Sequence, residues 1–345
     1  MPQHPFRPPR GRLTHLDIAS EALAGNLLGD PSTRRVAVYL PAEYEASDAQ
    51  FPLLVDLAAF TNSGLKRPAW KAFGESLPQR LDRLIDEGRM GPVVLAMPDA
   101  FTKLGGNQYV DTPALGNWAT YLTTEMLPAL ERTYRILPGR RHRAVFGKSS
   151  GGYAALVHGM LYGEHWGAIA CHSGDIGWEW GVRAGFPGLA TRLGDFDGDP
   201  VAFLHSVWSS DTLRGSDFHH LMMLALAASY DPDPDAPYGI RLPIDPYTCE
   251  VDEVAWSRWL RHDPLEILER PGSAASLSAL AGIYIDCGDQ DEYHLQYGAR
   301  RFVRRLAELG VEHSWHAFRG THRSTDYRLD ASLPFLYERI APQEA

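Results

Sequence analysis

The sequence predicts an α/β fold with a mostly parallel central sheet, helices on both of its faces and an inserted cap region. From about residue 35, short β-branched apolar runs alternate with amphipathic helical stretches, which is typical of parallel strands joined by helices. This alternation stops near residue 174 and resumes near residue 271. We therefore expect a single domain over residues 1–345, with residues 174–271 inserted into it.

Each predicted strand is a short apolar run bounded by charged or turn-forming residues. The strand candidates are residues 35–40, 52–58, 92–97, 143–146, 168–171, 283–286 and 313–318. The helix candidates include residues 77–87, 118–134, 152–161 and 294–309. Residues 12–28 are expected to add an antiparallel strand at one edge of the sheet.

The predicted insertion, residues 174–271, is rich in Trp, Gly, Asp and Pro. A structureless loop of this length is improbable in a compact domain, so we predict a partly helical cap over the carboxyl ends of the strands. Two Asp-rich runs inside it, residues 195–199 and 231–235, superficially resemble calcium loops. Both lack the distal Glu of an EF-hand, which favours polar turns.

Composition narrows the class of protein. The formal net charge of −10, without a dense basic cluster, argues against a nucleic-acid partner. The sequence has no run near the ~18 apolar residues of a membrane span and no apolar core of a signal peptide, so we expect a cytoplasmic protein without a membrane partner. Three cysteines without a Cys-x-x-Cys pair suggest reduced thiols, with Cys171 and Cys287 in the core.

Residues 147–151 read Gly-Lys-Ser-Ser-Gly, a Gly-x-Ser-x-Gly pattern between an apolar run and an Ala-rich helical stretch. This context predicts a nucleophile elbow, a sharp strand-to-helix turn that exposes Ser149 at the strand tip. A phosphate-binding loop is the main rival interpretation, but the glycine that it requires at position 142 is His142. A glycine-rich surface turn is the remaining alternative for the pentapeptide by itself.

A serine nucleophile needs a base to accept its proton and an acid to orient that base. In chains with a Gly-x-Ser-x-Gly elbow the acid follows the serine in sequence, and the histidine follows the acid. Residues 313–318 read as a strand, and His322 follows it in a loop after a glycine, where the base is expected. Four acids compete near the end of the preceding strand: Asp286, Asp289, Asp291 and Glu292. Since Asp286 is still in the strand and Asp289 opens the turn, Asp291 is the preferred acid.

These motifs resemble those of the α/β-hydrolase esterase family that contains esterase D, S-formylglutathione hydrolases, enterochelin-esterase-like proteins and corynebacterial mycolyltransferases. The resemblance covers most of the chain. Its motifs are residues 38–41, Pro98-Asp99, residues 118–130, residues 147–152 and Gly288-x-x-Asp291. The resemblance implies an α/β-hydrolase fold, with Asp291 as the acid and His322 as the base. The long insertion departs from the compact S-formylglutathione hydrolases, which disfavours such a thioester as substrate.

The resemblance also implies an oxyanion hole made of backbone N–H groups. The family usually carries a His-Gly or similar pair after its first core strand, whereas this chain reads Ala58-Ala59-Phe60-Thr61. By position, the N–H groups of Phe60 and Ser150 are expected to bind the oxyanion. The sequence places the first of these donors, Phe60, to within one residue. The loop 99–111, with Asn107, Tyr109 and Asp111, either rims the pocket or serves as a polar turn.

The sequence therefore predicts a serine ester hydrolase that acts on a small-molecule ester through an acyl-enzyme, without a metal or an organic cofactor. Ser149, His322 and Asp291 form its catalytic triad. Two alternatives remain: an acyltransferase with the same triad, and a non-catalytic binding protein on a hydrolase scaffold. Trp residues in the insertion suggest an apolar or aromatic substrate group, although Trp also fills ordinary cores. The sequence leaves formation of a homo-oligomer open.

Overall fold

The computed structural model describes residues 4–342. Its strands are β1 (Arg12–Ala19), β2 (Thr33–Leu40), β3 (Leu53–Leu57), β4 (Val94–Pro98), β5 (Asp111–Thr112), β6 (Gly116–Asn117), β7 (Arg143–Lys148), β8 (Ala168–His172), β9 (Gly282–Gly288) and β10 (Ser314–Phe318). Strands β5 and β6 pair only with each other, and the other eight form one sheet in the order β1-β2-β4-β3-β7-β8-β9-β10.

The sheet is parallel from β4 to β10, whereas β1 pairs with β2 and β2 with β4 in antiparallel register. The predicted antiparallel edge strand is thus β1. The seven strands predicted from apolar runs are all present, each within two residues of its predicted bounds. The mostly parallel sheet confirms the predicted fold class.

The helices are α1 (Leu77–Asp86), α2 (Trp118–Thr120), α3 (Leu127–Thr133), α4 (Ser150–Leu161), α5 (Trp178–Gly181), α6 (Phe186–Leu193), α7 (Pro200–Trp208), α8 (Asp217–Tyr230), α9 (Glu253–Leu260), α10 (Pro264–Leu268), α11 (Ser273–Ser278), α12 (Leu295–Glu308) and α13 (Leu329–Ile340). A π-helical stretch, Tyr121–Met126, joins α2 to α3, so the helix predicted over residues 118–134 is present with one irregular segment.

Two apolar cores cover the two faces of the sheet because successive strand residues point to opposite sides. In β3, for example, Leu53 and Val55 belong to the larger core and Leu54 to the smaller one. Helices α1 and α13 pack in the smaller core, and α3, α4 and α12 pack in the larger one. This alternation determines which strand residues face each layer of helices. Since the strands are parallel, the carboxyl ends of β3, β7, β8, β9 and β10 lie at the same edge of the sheet.

Seven helices, α5 to α11, occupy the long connection between β8 and β9. Buried aromatic residues hold this segment together: Phe186 packs edge-on against Trp256, with ring centroids 5.2 Å apart. The Asp-rich runs form ion pairs and a cap, since Asp231 binds Arg241 and Arg258, and the Asp199 side chain caps α7. They therefore act as the polar turns that the sequence favours.

Cys171 and Cys287 are buried free thiols, as expected from their apolar surroundings. Burial raises the pKa of the Cys287 thiol to about 12, so this group stays protonated at neutral pH. Within residues 4–342, no helix has both the length and the apolar character needed to cross a membrane.

Candidate active site

Ser149 lies at a strained turn between β7 and α4. Its φ of 56° and ψ of −124° are costly for a residue with a side chain. The surroundings hold it in place: the Ser149 N–H donates to the His172 carbonyl over 2.9 Å. A Cβ atom on Gly151 would lie 1.9 Å from the Leu57 carbonyl oxygen, and one on Gly147 would lie 2.5 Å from the backbone of Gly151. Both glycines are therefore required for the close approach of α4 to β3.

The loop after β3 supplies backbone N–H groups beside Ser149. The Thr61 N–H donates to the Gly105 carbonyl over 2.7 Å, and the Asn62 N–H donates to the Ala59 carbonyl over 3.1 Å. Within residues 4–342, the N–H groups of Ala59 and Phe60 have no acceptor. Both residues line the same cavity as Ser149. This leaves Phe60, with Ala59 next to it, as the candidate oxyanion donor in this loop.

Ser150 is the first residue of α4, and its N–H group has no acceptor in the described part of the chain. Unpaired N–H groups at a helix N-terminus favour negative charge. The Ser150 hydroxyl accepts a hydrogen bond from Gln108 over 3.0 Å. The loop before β5 thus anchors this end of the helix.

The loop 99–111 supports this arrangement from behind and does not rim the cavity through the residues that the sequence suggested. Asn107 and Tyr109 are buried, and the Tyr109 hydroxyl donates to the Ala58 carbonyl over 2.7 Å. The Asp111 carboxylate accepts hydrogen bonds from Thr120. These residues therefore hold the loop after β3 and helix α2 in place, which agrees with the polar turn rather than with the rim of a pocket.

His322 and Asp291 lie in the loops that follow β10 and β9, and the structure brings them together. The His322 Nδ1 and Asp291 Oδ2 atoms are 2.8 Å apart. Asp291 Oδ1 also accepts the Tyr293 N–H over 3.0 Å, and the Tyr293 ring packs edge-on against the His322 ring. A carboxylate at Nδ1 fixes the proton on that nitrogen, which leaves Nε2 as an acceptor.

The competing acids have other partners. Asp286 contacts His172 and Arg328, Asp289 accepts the Gly320 N–H, and Glu292 accepts the His322 backbone N–H. Burial opposes ionisation of Asp286, but His172 and Arg328 outweigh it and lower the pKa of this carboxyl. Among the four acids, only Asp291 therefore contacts the imidazole ring of His322.

Ser149 and His322 open into one cavity of about 510 Å³. Its walls are largely apolar and come in part from the insertion: Trp178, Val182, Leu213, Phe218, Met222, Leu226 and Tyr230. Within residues 4–342, no hydrogen bond joins Ser149 to His322, and the Ser149 hydroxyl instead points to Asp175 Oδ1 at 3.5 Å. Catalytic hydrogen bonds are often long or misaligned before substrate binds, so this arrangement is compatible with proton transfer.

Asp175 is a site residue that the sequence reasoning missed. Its Oδ2 atom accepts the Ser150 hydroxyl over 3.3 Å. Burial raises the pKa of Asp175 to about 6, although His322 favours the ionised form. The position of Asp175 in the sequence was one signal for a role in the site. Asp175 follows β8, the strand next to β7, and ligands of open α/β sheets bind at the carboxyl ends of the strands. Its Gly-Asp-Ile-Gly context reads equally well as a turn.

A second cavity of about 200 Å³ adjoins the first, and Lys148 lines both. Burial lowers the pKa of Lys148, while Asp326 and Asp291 partly oppose this effect. Arg67 pairs here with Asp56 at 2.7 Å. In the described part of the chain, no group of three or more His, Cys, Asp or Glu side chains is placed to hold a metal ion.

Comparison with known proteins agrees with this architecture. A ferulic acid esterase has a TM-score of 0.60 at 19% identity, over 95% of this chain and 98% of that one. An S-formylglutathione hydrolase from Agrobacterium tumefaciens has a TM-score of 0.57 at 15% identity, over 97% and 98%. One from Staphylococcus aureus has a TM-score of 0.56 at 13% identity, over 95% and 99%. At these identities the likeness shows the fold, which is that of α/β-hydrolase esterases.

Sequence comparison gives two esterases of Mycobacterium tuberculosis, strains CDC 1551 / Oshkosh and ATCC 25618 / H37Rv. Each is 25% identical over 156 residues, which is 41% of this chain and 33% of the relative. The match therefore spans about a third of the length of these curated relatives. The model of the family described as "Putative esterase" matches residues 31–333, most of the chain. This protein belongs to that esterase family of hydrolases.

Proposed function

We propose that the protein is a serine ester hydrolase that works through an acyl-enzyme intermediate. One observation carries this proposal: Ser149, on a strained elbow, opens into the same cavity as His322, whose Nδ1 atom is held by Asp291 at 2.8 Å. Membership in the esterase family supports the same reaction class.

In the first half of the reaction, Ser149 Oγ attacks the ester carbonyl carbon and passes its proton to His322 Nε2. For this step the hydroxyl turns from Asp175 toward the imidazole. The resulting oxyanion accepts hydrogen bonds from the unpaired N–H groups of Phe60 and Ser150. The tetrahedral intermediate then expels the alcohol, which takes the proton from His322, and the acyl group remains on Ser149.

In the second half, a water molecule gives a proton to His322 and attacks the acyl carbonyl carbon. Collapse of this second intermediate releases the carboxylic acid and returns the proton to Ser149. Asp291 keeps the Nδ1–H tautomer throughout and stabilises the imidazolium. No step requires a metal ion or an organic cofactor.

The walls of the cavity indicate the class of substrate. Trp178, Phe218 and Tyr230 suit an apolar or aromatic group on the ester, because burial of such a group removes its apolar surface from water. A ferulic acid esterase is among the proteins with the same fold. A small-molecule ester with an apolar acyl group is therefore our proposed substrate.

Active-site labelling tests the nucleophile. We expect a fluorophosphonate probe to add one phosphonyl group to Ser149 in the wild type, located by mass spectrometry of the labelled peptide. Ser149→Ala is expected to remain unlabelled, whereas the neighbouring Ser150→Ala keeps its backbone N–H and is expected to react. Labelling of Ser149→Ala at the wild-type rate would contradict the proposal.

A further inference from the structure

Asp175 is the only carboxylate among the residues that line the main cavity within the described chain. Its two oxygens accept hydrogen bonds from the Ser149 and Ser150 hydroxyls, at 3.5 and 3.3 Å. It therefore lies beside the reacting serine. The proposed hydrolysis gives Asp175 no task, since Asp291 already orients His322.

Asp175 also lacks a cationic partner. Among residues 4–342, no Lys, Arg or His nitrogen lies within 4.0 Å of its carboxylate, whereas the nearby buried acids Asp56, Asp286 and Asp291 each have such a partner. Four basic side chains line the cavity, Lys148, His219, His322 and Arg323, and none of them lies within 4.0 Å of the Asp175 carboxylate. His322 pairs with Asp291 and favours the ionised form of Asp175 only from a greater distance. Arg323 pairs with Glu292 at 3.1 Å and is mostly exposed, and Lys148 lies toward Asp326 and Asp291.

We infer that Asp175 binds an ammonium group carried by the substrate on the carbon next to the scissile carbonyl, so that the preferred substrates are esters of α-amino acids. This inference rests on the proposed ester hydrolysis. Asp175 is partly buried and its only hydrogen-bond donors among the described residues are two serine hydroxyls. A carboxylate withdrawn from water without a cationic partner is unfavourable, and a substrate ammonium would supply a charge-assisted hydrogen bond.

The covalent geometry of such a substrate fits the observed distances. When Ser149 Oγ bonds to the carbonyl carbon, an amine on the adjacent carbon lies about 3 Å from that oxygen in the gauche arrangement of the O–C–C–N torsion. Asp175 Oδ1 is 3.5 Å from Ser149 Oγ. When the hydroxyl turns toward the imidazole for the attack, Asp175 Oδ1 loses this hydrogen bond and becomes available to the amine of an α-amino ester.

The rest of the cavity suits the side chain of an apolar amino acid. Trp178 and Tyr230 pack with ring centroids 4.4 Å apart, and both line the cavity together with Met222 and Leu226. Aromatic rings also attract an ammonium group through their negative faces. Esters of amino acids such as phenylalanine or leucine thus match both the carboxylate and the apolar walls.

The same charge should disfavour neutral esters. An ionised Asp175 beside Ser149 repels the oxyanion that forms there, and this repulsion is strong in a site that excludes water. A substrate ammonium cancels the repulsion, whereas a neutral acyl group does not. Removal of the charge is therefore expected to have opposite effects on the two kinds of ester.

The test compares two esters that differ only in the amine, the p-nitrophenyl esters of phenylalanine and of 3-phenylpropanoic acid. Assays run at about pH 6.5, which is below the ordinary pKa of an α-amino group and above the pKa of about 6 to which burial raises Asp175. In Asp175→Asn, we expect the ratio of kcat/KM values, amino ester over neutral ester, to fall at least tenfold relative to wild type. The comparison of ratios cancels the greater intrinsic reactivity of the amino ester.

Asp175→Glu retains the charge and is expected to retain part of the preference for the amino ester. A ratio that stays within twofold of wild type in Asp175→Asn would overturn the inference. Equal losses for both esters would overturn it too, since they would assign Asp175 a purely structural role. Circular dichroism verifies that each variant is folded.

Labelling rates separate this inference from the proposed function. A diphenyl phosphonate analogue of phenylalanine is expected to modify wild-type Ser149 faster than the analogue without the amine, and Asp175→Asn should remove this advantage. If neither phosphonate nor either ester reacts with folded wild type, the proposed function fails. If both react without a preference that depends on Asp175, only the inference about the ammonium fails.

Discussion

The Nδ1 atom of His322 and the Oδ2 atom of Asp291 lie 2.8 Å apart, and the loops that carry them are hydrogen-bonded to each other. The Asp289 N–H donates to the Phe318 carbonyl, and the Gln290 N–H donates to the Gly320 carbonyl, both over 2.9 Å. The pairing of β9 with β10 continues into these loops. The acid and the base are therefore placed by the sheet itself.

This relationship predicts the effect of Asp291→Asn. An amide at this position can donate to Nδ1, which favours the tautomer with its proton on Nε2, so His322 can no longer accept the Ser149 proton. We expect kcat for an activated ester to fall about 10³- to 10⁴-fold with little change in KM, by analogy with the same substitution in a serine protease triad. Steady-state kinetics provides the measurement.

Asp289→Asn is the matched control, because Asp289 lies two residues away and accepts the Gly320 N–H through an oxygen that Asn retains. We expect its kcat to remain within about threefold of wild type, since it does not contact the imidazole. Equal losses in the two variants would show that Asp291 acts only through the shape of the loop.

The close contact at the elbow predicts that Gly151→Ala is destabilising. The new methyl group would meet the Leu57 carbonyl at 1.9 Å, and a backbone atom of a central strand cannot move aside easily. We expect a loss of about 1–3 kcal/mol or more in the free energy of unfolding, measured by chemical denaturation. Gly194→Ala is the control, because its methyl group would meet no atom within 4 Å. A loss in Gly194→Ala as large as that in Gly151→Ala would contradict this account.

The raised pKa of Asp175 predicts that the free energy of unfolding depends on pH. Because burial raises its pKa to about 6, the folded protein keeps a proton there that an unfolded chain loses near pH 4. As pH rises through this window, ionisation of Asp175 therefore costs the fold stability. We expect Asp175→Asn to gain about 1–3 kcal/mol relative to wild type between about pH 4.5 and pH 7.5.

Urea denaturation of both proteins at the two pH values measures this difference. The low-pH comparison is the internal control, since Asp175 is then mostly neutral in the fold and resembles Asn. A difference between the proteins that does not change with pH would mean that Asp175 has an ordinary pKa. The experiment needs no substrate, so it is independent of the activity assays.

The apolar cavity predicts how acyl length affects the rate. Met222 lines this cavity from α8, and Met222→Trp would fill part of its 510 Å³. We expect kcat/KM for a p-nitrophenyl octanoate to fall at least tenfold and that for the acetate to change less than threefold, since each lost methylene contact is worth about 1–3 kcal/mol. Equal effects on both esters would place the acyl group elsewhere.

The strands and the elbow could be predicted from sequence because their signals are local. An apolar run such as residues 168–171 is buried on both faces, and the glycines around Ser149 meet a steric demand within five residues. The pairing of Asp291 with His322 could be expected from chain order and family resemblance. Its hydrogen bond depends on the pairing of two strands that are distant in sequence.

The insertion was harder to predict because all of its helices except α8 have fewer than ten residues, and they pack on the rest of the protein through scattered aromatic side chains. The sequence therefore could not distinguish Trp178, which lines the cavity, from Trp256, which fills the core. Asp175 was missed for a related reason: its environment comes from Ser149, Ser150 and α5 folding around it. A turn-forming Asp and an active-site carboxylate look alike in sequence.

We propose Ser149 as the nucleophile of an ester hydrolase. The most direct measurement is hydrolysis of p-nitrophenyl esters of graded acyl length by wild type and by Ser149→Ala, with folding verified by circular dichroism. We expect wild type to turn over these esters and folded Ser149→Ala to lose at least a thousandfold in kcat. Full activity in a folded Ser149→Ala protein would contradict the account.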